Sequence, residues 1–391
     1  MRLPPLVSPV EELSKHEISR YSRHLLIPEV GLEGQKRLKS SKVLVIGAGG
    51  LGSPTLLYLA AAGVGTLGII DFDVVDESNL QRQIIHGQSD ISRLKSESAR
   101  DSINELNPYV RVQLHSERLE VTNAGKIISG YDLIVDGTDN FATRYLVNDA
   151  CVLAGKPYVW GSIYRFEGQV SVFWEDAPGG KGLNYRDLYP EPPPAEMAPS
   201  CAEGGVLGIL CASIGAMMAT EAIKFITGIG ETLLGRLAVY DALDMSYRFI
   251  PLHQAPVRTP VTQLIDYQRF CGVAPRPTHD SGTNVPVISA RELKAIQEKG
   301  ADVQLIDVRG IEEWNIVHIE GATLIPKNQI MSEEVLSTMN KEDFIVLHCK
   351  MGMRSRDVLV EMQKYGFTNV KSLDGGILAW IKDVDQSLPT Y

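Results

Sequence analysis

The residues with the clearest chemical potential begin with a glycine-rich stretch, Gly47-Ala-Gly-Gly-Leu-Gly52, and an aspartate, Asp71. Glycine lets the backbone turn tightly, and it lets a phosphate approach the N–H groups at a helix N-terminus. Asp71 ends the next predicted strand, where a carboxylate can accept hydrogen bonds from ribose hydroxyls. These residues predict a nucleotide site, and an NAD- or FAD-dependent oxidoreductase is one interpretation of it.

The side chains that follow Asp71 favour a different chemistry. The run Asp71-Phe-Asp-Val-Val-Asp-Glu-Ser-Asn-Leu-Gln-Arg-Gln83 is followed by Lys95 and later by Gly137-Thr-Asp-Asn140. Cations stabilise the negative charge that spreads over phosphate oxygens when pyrophosphate leaves ATP. Hydride transfer needs no such cations, so the pattern favours attack at a phosphate over oxidoreduction.

The stretch from Ile70 to Gln83 resembles the ubiquitin-activating superfamily, and specifically its bacterial MoeB and ThiF enzymes, through the pattern I-D-x-D-x-V-x-x-S-N-L-x-R-Q. The resemblance implies that the chain binds ATP and Mg²⁺, with Mg²⁺ near Asp139. It also implies a homodimer in which the partner subunit supplies Arg23 to the site. The residues that it places at ATP are Gly50, Asp71, Ser78, Asn79, Leu80, Gln81, Arg82, Lys95, Asp139 and Asn140.

A cysteine, Cys201, follows a proline-rich stretch and precedes a predicted helix in Cys201-Ala-Glu-Gly-Gly-Val-Leu-Gly208. A helix N-terminus stabilises a thiolate and makes it a better nucleophile. The resemblance to MoeB-rhodanese proteins implies an acyl or disulfide intermediate at Cys201, whereas an inert buried thiol is the alternative. Cys151 and Cys211 are expected to be inert.

The cysteine pattern departs from the family in one respect. MoeB-like proteins usually carry two C-x-x-C pairs that bind a structural zinc, one of them as C-Y-R-C. This chain has Asn184-Tyr-Arg-Asp187 instead, and no C-x-x-C pair. We therefore expect no zinc and no other resident metal, and we expect packing to supply the stability that zinc gives to relatives.

The second candidate site is a single thiol, Cys349, in His348-Cys-Lys-Met-Gly-Met-Arg-Ser-Arg356. The segment lies between a predicted strand and a predicted helix, so its backbone N–H groups can converge on the sulfur and stabilise a persulfide anion. Phosphate-binding C-x5-R loops place arginine at the position that Ser355 holds here. The shorter spacing favours sulfur over phosphate.

Residues 286–391 resemble single-domain rhodaneses, through this loop and through Leu305-Ile-Asp-Val-Arg309, Glu312-Glu-Trp314 and Asp374-Gly-Gly-Ile-Leu-Ala-Trp380. The resemblance implies sulfur transfer through Cys349. Asp307 and Arg309 are interpreted as structural residues.

Similarity to MoeB-rhodanese fusions extends over nearly the whole chain and implies one pathway. ATP activates the C-terminal glycine of a ubiquitin-like sulfur-carrier protein ending in Gly-Gly, and a persulfide on Cys349 converts the acyl adenylate to a thiocarboxylate. Thiosulfate or a cysteine desulfurase would supply the sulfur. A non-catalytic scaffold that binds the carrier is a further alternative, which the residues alone leave open.

The elements that must position these residues alternate between strand and helix. This alternation predicts an α/β protein with a Rossmann-like, mostly parallel sheet and a ligand site at the carboxyl ends of its strands. A small α/β rhodanese domain is expected to follow. The predicted divisions are an adenylation domain at 1–272, a linker at 273–285 and the rhodanese domain at 286–391. The predicted elements of the first domain include strands Lys42–Ile46, Thr66–Asp71 and Asp132–Asp136 and helices Pro54–Ala62 and Val206–Gly228.

Length and composition narrow the remaining possibilities. A chain of 391 residues suits two or three domains, and its net charge of −10 disfavours nucleic acid as a partner. Five cysteines without a paired spacing indicate a reducing, cytoplasmic location. The uncharged stretch Val43–Ile70 is long enough to span a bilayer, but its glycines and Pro54 divide it, so no membrane association is expected.

Overall fold

The protein, seen here in a computed structural model, divides into two compact units, Met1–Arg276 and Pro277–Tyr391. The structure describes residues 2–193, 204–272 and 285–391. Nearly all of the predicted linker at 273–285 lies outside these ranges, so the predicted domain boundaries stay a prediction.

The first unit is built on an eight-stranded sheet with the order β3-β2-β1-β4-β5-β6-β7-β8. Its strands are β1 (Lys42–Ile46), β2 (Thr66–Ile70), β3 (Arg111–His115), β4 (Leu133–Asp136), β5 (Tyr158–Tyr164), β6 (Glu167–Phe173), β7 (Arg236–Asp241) and β8 (Ser246–Pro251). Its described helices are α1 (Lys15–Arg20), α2 (Ser22–Leu25), α3 (Gly31–Ser40), α4 (Gly52–Ala62), α5 (Lys95–Leu106), α6 (Ala124–Ser129), α7 (Phe141–Leu153), α8 (Tyr185–Leu188), α9 (Gly208–Thr227) and α10 (Tyr267–Phe270).

Strands β3, β2, β1, β4 and β5 pair in parallel, which confirms the Rossmann-like expectation. The strands from β5 to β8 pair antiparallel and extend the sheet in a way that the sequence analysis did not predict. Because parallel strands end at a common edge, the carboxyl ends of β1, β2 and β4 meet there. That edge carries the predicted nucleotide residues.

The first β1–α4–β2 unit forms where the glycine pattern predicted it. Residues 43–46 are buried on both faces of the sheet, as expected for a central parallel strand. The turn after β1 needs glycine at two positions. Gly47 has φ of +91°, and a Cβ on Gly52 would lie only 1.8 Å from the carbonyl oxygen of Gly47. The stretch Val43–Ile70 is therefore strand, helix and strand.

Helix α9 covers one face of the sheet and packs against α3, α4, β5 and β6. Gly215 permits the close approach to α4, because a Cβ there would lie 2.4 Å from Cγ of Pro54. By length and composition alone this helix could cross a membrane, and 56% of its most apolar window is buried. Burial of this extent fits a helix of a protein core. The expectation of no membrane association stays a prediction.

The second unit holds a five-stranded parallel sheet with the order β11-β10-β12-β13-β9. On β12, Ile345 and Leu347 belong to one hydrophobic cluster and Val346 to another, so both faces of this sheet are covered. The strands are β9 (Val287–Ile288), β10 (Gln304–Asp307), β11 (Thr323–Leu324), β12 (Ile345–His348) and β13 (Val370–Leu373). The described helices are α11 (Ala290–Glu298), α12 (Ile311–Ile316), α13 (Lys327–Ile330), α14 (Glu333–Thr338), α15 (Met353–Lys364) and α16 (Gly376–Asp383).

Candidate functional site

A cavity of about 580 Å³ lies at the carboxyl ends of β1, β2 and β4 in the first unit. Its walls combine a glycine-rich turn, carboxylates and cationic side chains. Six of the residues predicted at ATP line it: Gly50, Asp71, Arg82, Lys95, Asp139 and Asn140. The volume suits a small-molecule ligand of nucleotide size.

The glycine turn forms one wall of the cavity and is held by its neighbours. Its Ala48 N–H donates to Oδ2 of Asp71 at 2.8 Å, and Nε2 of His86 lies 2.9 Å from the Ala48 carbonyl oxygen. Gly50 has no room for a side chain, because a Cβ there would lie 2.7 Å from Sγ of Cys211 on α9. The turn is therefore a fitted cradle against which a phosphate or ribose can lie.

Asp71 lies where β2 ends and holds two segments of the cavity wall together. Its Oδ1 accepts from the N–H of Asp73 at 2.9 Å, while its Oδ2 accepts from Ala48. Burial raises the pKa of Asp71 above its usual value, against the opposing effect of these two hydrogen bonds and of Lys95. A ribose hydroxyl that donates to Asp71 would favour its ionised form.

Two cationic side chains reach the cavity from different elements. Lys95 begins α5, its side chain is only 9% exposed, and its Nζ lies 3.4 Å from Oδ2 of Asp73. Arg82 donates to the carbonyl oxygen of Ser78 at 3.0 Å. Cations in such positions can stabilise charge on phosphate oxygens.

The turn after β4 supplies the third wall. Asp139 is exposed and lines the cavity. Asn140 caps α7, because its Oδ1 accepts from the N–H of Thr143 at 2.9 Å. Burial raises the pKa of Asp136, which precedes this turn and lies within the sheet. Asp139 is therefore the accessible carboxylate of the turn.

Several predicted residues lie away from the cavity wall. Ser78 and Asn79 form a short 3-10 turn with Asp76, and Leu80 and Gln81 connect it to Arg82. None of these four is among the described residues that line the cavity. Arg23 lies exposed on α2 and does not line the cavity of its own chain. Cys201 lies outside the described ranges.

Several residues that line the cavity were not predicted from the sequence. Arg144 on α7 is only 7% exposed and donates twice to the Thr138 carbonyl oxygen. The guanidinium of Arg118 lies 4.3 Å from the ring centroid of Phe72, beyond the ends of β3 and β2. These three positions could have been found from strand order. Gln268 and Cys271 also line the cavity, but they come from a distant part of the chain and no sequence signal indicated them.

The second candidate site surrounds Cys349 in the second unit, in the loop between β12 and α15. Cys349 is only 1% exposed, the N–H of Gly352 donates to its Sγ at 3.1 Å, and Oγ of Ser355 lies 3.7 Å away. Gly376 closes the loop, because a Cβ there would lie 2.4 Å from the Cys349 carbonyl oxygen. One backbone N–H and one hydroxyl thus donate to the sulfur and suit an anionic sulfur species, whereas the sequence predicted several backbone N–H groups there.

Two arginines that follow Cys349 are held by acidic partners. Arg354 forms a two-point ion pair with Glu313 on α12, at 2.6 and 2.8 Å, and Arg356 pairs with Asp374 at 2.7 Å. The Tyr391 hydroxyl donates to Oε1 of Glu313 at 2.7 Å. Although burial opposes ionisation of Glu313, these hydrogen bonds hold its pKa at about 2.

Behind the loop lies a buried charged pair, Asp307 and Arg309. Both side chains are 0% exposed, and Arg309 donates to both carboxylate oxygens of Asp307 at 2.6 to 2.9 Å. Next to this pair lies His348, whose Nε2 is 3.7 Å from Oδ2 of Asp307. Burial lowers the pKa of His348 to about 4, so the ring is neutral near pH 7. This arrangement fits the structural role predicted for Asp307 and Arg309.

Matches to known protein families agree with this geometry. Residues 21–260 match the model described as "ThiF family", and residues 289–383 match the model described as "Rhodanese-like domain". The chain belongs to the ThiF family. The expected adenylation and rhodanese families are thereby confirmed, and the ThiF match spans the cavity while the rhodanese-like match spans the Cys349 loop.

Relatives of this ThiF family member match it along its whole length. It is 61% identical over 389 residues to "Probable adenylyltransferase/sulfurtransferase MoeZ" of Mycobacterium tuberculosis, with 100% of this chain and 99% of the relative covered. It is 40% identical over 398 residues to "Adenylyltransferase and sulfurtransferase MOCS3" of Drosophila yakuba, with 97% and 86% covered. These relatives do not favour the oxidoreductase interpretation.

Solved structures agree on the fold. The ThiF family member resembles the E. coli protein MccB solved with ATP, with a TM-score of 0.54, 22% identity, and 63% of this chain and 75% of that chain covered. MccB solved with AMPCPP and MccA gives a TM-score of 0.53 at 23% identity, with 61% of this chain and 73% of that chain covered. At this identity the likeness supports the fold alone.

Proposed function

We propose that this ThiF family member activates the C-terminal glycine of a ubiquitin-like sulfur-carrier protein as an acyl adenylate and then converts it to a thiocarboxylate. The enzyme class itself is adenylyltransferase and sulfurtransferase, as in the full-length relatives. The observation that carries the proposal is the pairing in one chain of a nucleotide cavity in a ThiF domain with a buried thiol that accepts a backbone N–H in a rhodanese-like domain.

The adenylation step is attack by the carrier carboxylate on the α-phosphorus of ATP, with pyrophosphate as the leaving group. Asp71 accepts from the ribose, and the glycine turn lies against the nucleotide. Lys95 and Arg82 stabilise charge that develops on the phosphate oxygens. In the homodimer that we propose, the partner subunit adds its own Arg23 to the same charge.

The cavity fits Mg²⁺ at Asp139. Mg²⁺ binds proteins through one or two carboxylates, completing its shell with water and substrate phosphates. Asp139 offers an exposed carboxylate on the cavity wall. Bound there, Mg²⁺ would neutralise charge on the ATP phosphates.

Sulfur transfer uses Cys349 as a persulfide. Its terminal sulfur attacks the carbonyl carbon of the acyl adenylate, AMP leaves, and an acyl disulfide joins the carrier to Cys349. A second thiolate then attacks the Cys349 sulfur, releases the carrier thiocarboxylate and forms a disulfide with Cys349. We assign Cys201 either to that release or to an earlier displacement of AMP; the two orders give different covalent intermediates.

The partners belong to the same proposal. The sulfur donor is thiosulfate or a cysteine desulfurase, and neither nucleic acid nor a membrane takes part. A cytoplasmic location is proposed from the unpaired cysteines, because free thiols persist in a reducing compartment.

The deciding experiment is carrier-dependent exchange of labelled pyrophosphate into ATP, with a panel of ubiquitin-like proteins ending in Gly-Gly. We expect exchange with one carrier and its loss in Asp139→Ala. In parallel, transfer of sulfur from thiosulfate to cyanide should be lost in Cys349→Ala and kept in Asp139→Ala. Absence of exchange with every carrier, with sulfur transfer at Cys349 intact, would overturn the activation half and leave a sulfurtransferase.

A further inference from the structure

Two segments that are far apart in sequence face each other beside helix α8. One contains Asn184 and Asp187, and the other contains Ala255 and Arg258, so each offers two positions with the same spacing of three residues. The N–H of Ala255 donates to Oδ1 of Asp187 at 2.9 Å, and Nη2 of Arg258 donates to Oδ2 at 2.9 Å. Both carboxylate oxygens of Asp187 therefore bind the facing segment.

The guanidinium of Arg258 also binds a third segment. It donates to both carboxylate oxygens of Glu175, at 2.9 and 2.6 Å, and Nδ2 of Asn184 donates to Glu175 at 2.7 Å. The Asp187 side chain is only 2% exposed, and those of Arg258 and Glu175 are about a quarter exposed. A single cation thus joins three pieces of chain in a partly buried, hydrogen-bonded cluster.

These residues do not fit the structural zinc site that MoeB-like proteins usually carry. Structural zinc requires four nitrogen or sulfur ligands, or carboxylates, in a tetrahedron. Asn184 and Asp187 stand where the family pattern has C-Y-R-C, and the positions that face them hold a methyl group and a guanidinium, which cannot ligate a cation. Ion pairs join the segments here, in addition to the packing that the sequence predicted.

We propose that the guanidinium of Arg258 replaces the structural zinc of the family as the cation that joins these segments. Like the metal, it carries positive charge between anionic side chains, and it holds its partners through several directed bonds at once. The equivalence assigns Ala255 and Arg258 to the second ligand pair, which the sequence pattern did not locate.

The joined segment leads to the nucleotide cavity. From Arg258 the chain runs to α10, where the Tyr267 hydroxyl donates to Oδ2 of Asp149 at 2.8 Å. The same Asp149 accepts two hydrogen bonds from Arg186, the neighbour of Asp187. Gln268 and Cys271 of this anchored segment line the cavity. The Arg258 cluster therefore holds one wall of the nucleotide cavity and serves as a positioning device.

The first test removes the guanidinium from the full chain. We expect Arg258→Met to lower the Tm of the first unit by about 5 °C or more and to raise the KM for ATP more than it lowers kcat. The Tm of Arg258→Lys should lie between those of the native chain and Arg258→Met, because an ammonium group lacks the planar, forked donors with which a guanidinium binds two carboxylates. Arg248→Met is the matched control, because Arg248 is 63% exposed and lies 3.6 Å from Glu167; its Tm should change by about 1 °C or less.

An unchanged Tm in Arg258→Met would overturn the proposal. If that variant is insoluble, Glu175→Gln tests the same cluster, because it keeps the shape and removes one charge; a Tm equal to that of the native chain would again overturn it.

The second test concerns the metal directly. The native chain should contain less than about 0.1 zinc per chain by atomic emission, and a zinc chelator should leave its Tm unchanged. The four-cysteine variant with Asn184→Cys, Asp187→Cys, Ala255→Cys and Arg258→Cys should bind one zinc, which the chelator removes with a fall in Tm. Tightly bound zinc in the native chain would overturn the replacement, and a folded four-cysteine variant without zinc affinity would overturn the positional equivalence.

Discussion

Gly50 shows how the absence of one side chain shapes the nucleotide cavity. A Cβ there would lie 2.7 Å from Sγ of Cys211, closer than such atoms approach in proteins, so alanine would displace either the turn or helix α9. We expect Gly50→Ala to raise the KM for ATP in pyrophosphate exchange about tenfold, because small displacements of a binding wall misplace the reacting atoms.

A second substitution, at Cys211, tests whether contact with its sulfur causes the loss. Cys211→Ala added to Gly50→Ala should recover most of the lost affinity, because it removes the atom that the new methyl group meets. Gly125→Ala is the control, since nothing lies within 4 Å of its added Cβ. A Gly50→Ala enzyme with a native KM would contradict the fitted cradle.

Tyr391 connects the two charged pairs around Cys349. Its hydroxyl accepts from Nη1 of Arg309 at 2.5 Å and donates to Glu313, while Nζ of Lys350 lies 4.4 Å from its ring centroid. Tyr391→Phe keeps the ring and removes the hydroxyl. We expect it to destabilise the second unit by about 1 to 3 kcal/mol and to speed alkylation of Cys349, because the loop opens more often.

Two measurements distinguish an effect of Tyr391 on the Cys349 loop from a general loss of activity. Pyrophosphate exchange should be unchanged in Tyr391→Phe, and Tyr365→Phe should alkylate at the native rate, since the Tyr365 ring is 39% exposed on the surface. Native alkylation rates in both variants would show that the hydroxyl does not hold the loop.

At the scale of elements, His348 at the end of β12 makes the stability of the second unit depend on pH. The pKa of buried His348 is about 4, against an ordinary value near 6.5, so the unfolded chain takes up this proton first as the pH falls. The contribution of His348 to the free energy of unfolding is therefore complete above pH 6.5, and it is lost as the pH falls from 6.5 to 4. The expected loss is at most about 1.4 kcal/mol per pH unit.

Urea unfolding at pH 7 and pH 5, followed by the alkylation of buried Cys349 in the second unit, measures this loss. His348→Leu removes the titrating ring with little change in volume, and its stability should change less between the two pH values. Equal pH dependence in the native and His348→Leu chains would show that other groups account for it.

The predictable elements are those whose signals are local. The β1–α4–β2 unit follows from a buried apolar run, a glycine turn and Asp71, and the Cys349 loop follows from a strand, a thiol and the start of α15. Strands β6 and β8 follow β5 and β7 through short connections, and these two hairpins were missed although their signals are local. The pairing of β6 with β7 spans a long separation in sequence and could not be predicted. Gln268, Cys271 and the Arg258 cluster escaped prediction for the same reason: only the folded chain brings them to the cavity.

At the scale of the whole molecule, Arg23 gives the proposed dimer a sharp test. Mixing Arg23→Ala chains with Asp139→Ala chains under conditions that exchange subunits should restore pyrophosphate exchange, although each variant alone is inactive. In a mixed dimer, the cavity of the Arg23→Ala chain keeps Asp139 and receives Arg23 from its neighbour. In each mixed dimer one of the two sites is then complete. Because about half of the dimers are mixed when the chains are combined equally, we expect about one quarter of native activity.

The mixing experiment has two controls. A chain with both substitutions, mixed with itself, should stay inactive, and sulfur transfer to cyanide should be native in every mixture. Mixtures that stay inactive despite confirmed subunit exchange would show that Arg23 acts within its own chain.

Helix α9 has a consequence for how the protein is made. A nascent chain that exposes this apolar segment displays a signal that the membrane insertion machinery reads by hydropathy. The elements that bury it, α3, α4, β5 and β6, all precede it in sequence and leave the ribosome earlier. The order of the chain thus supplies a docking surface before the segment emerges, so that its first apolar neighbour is its own protein.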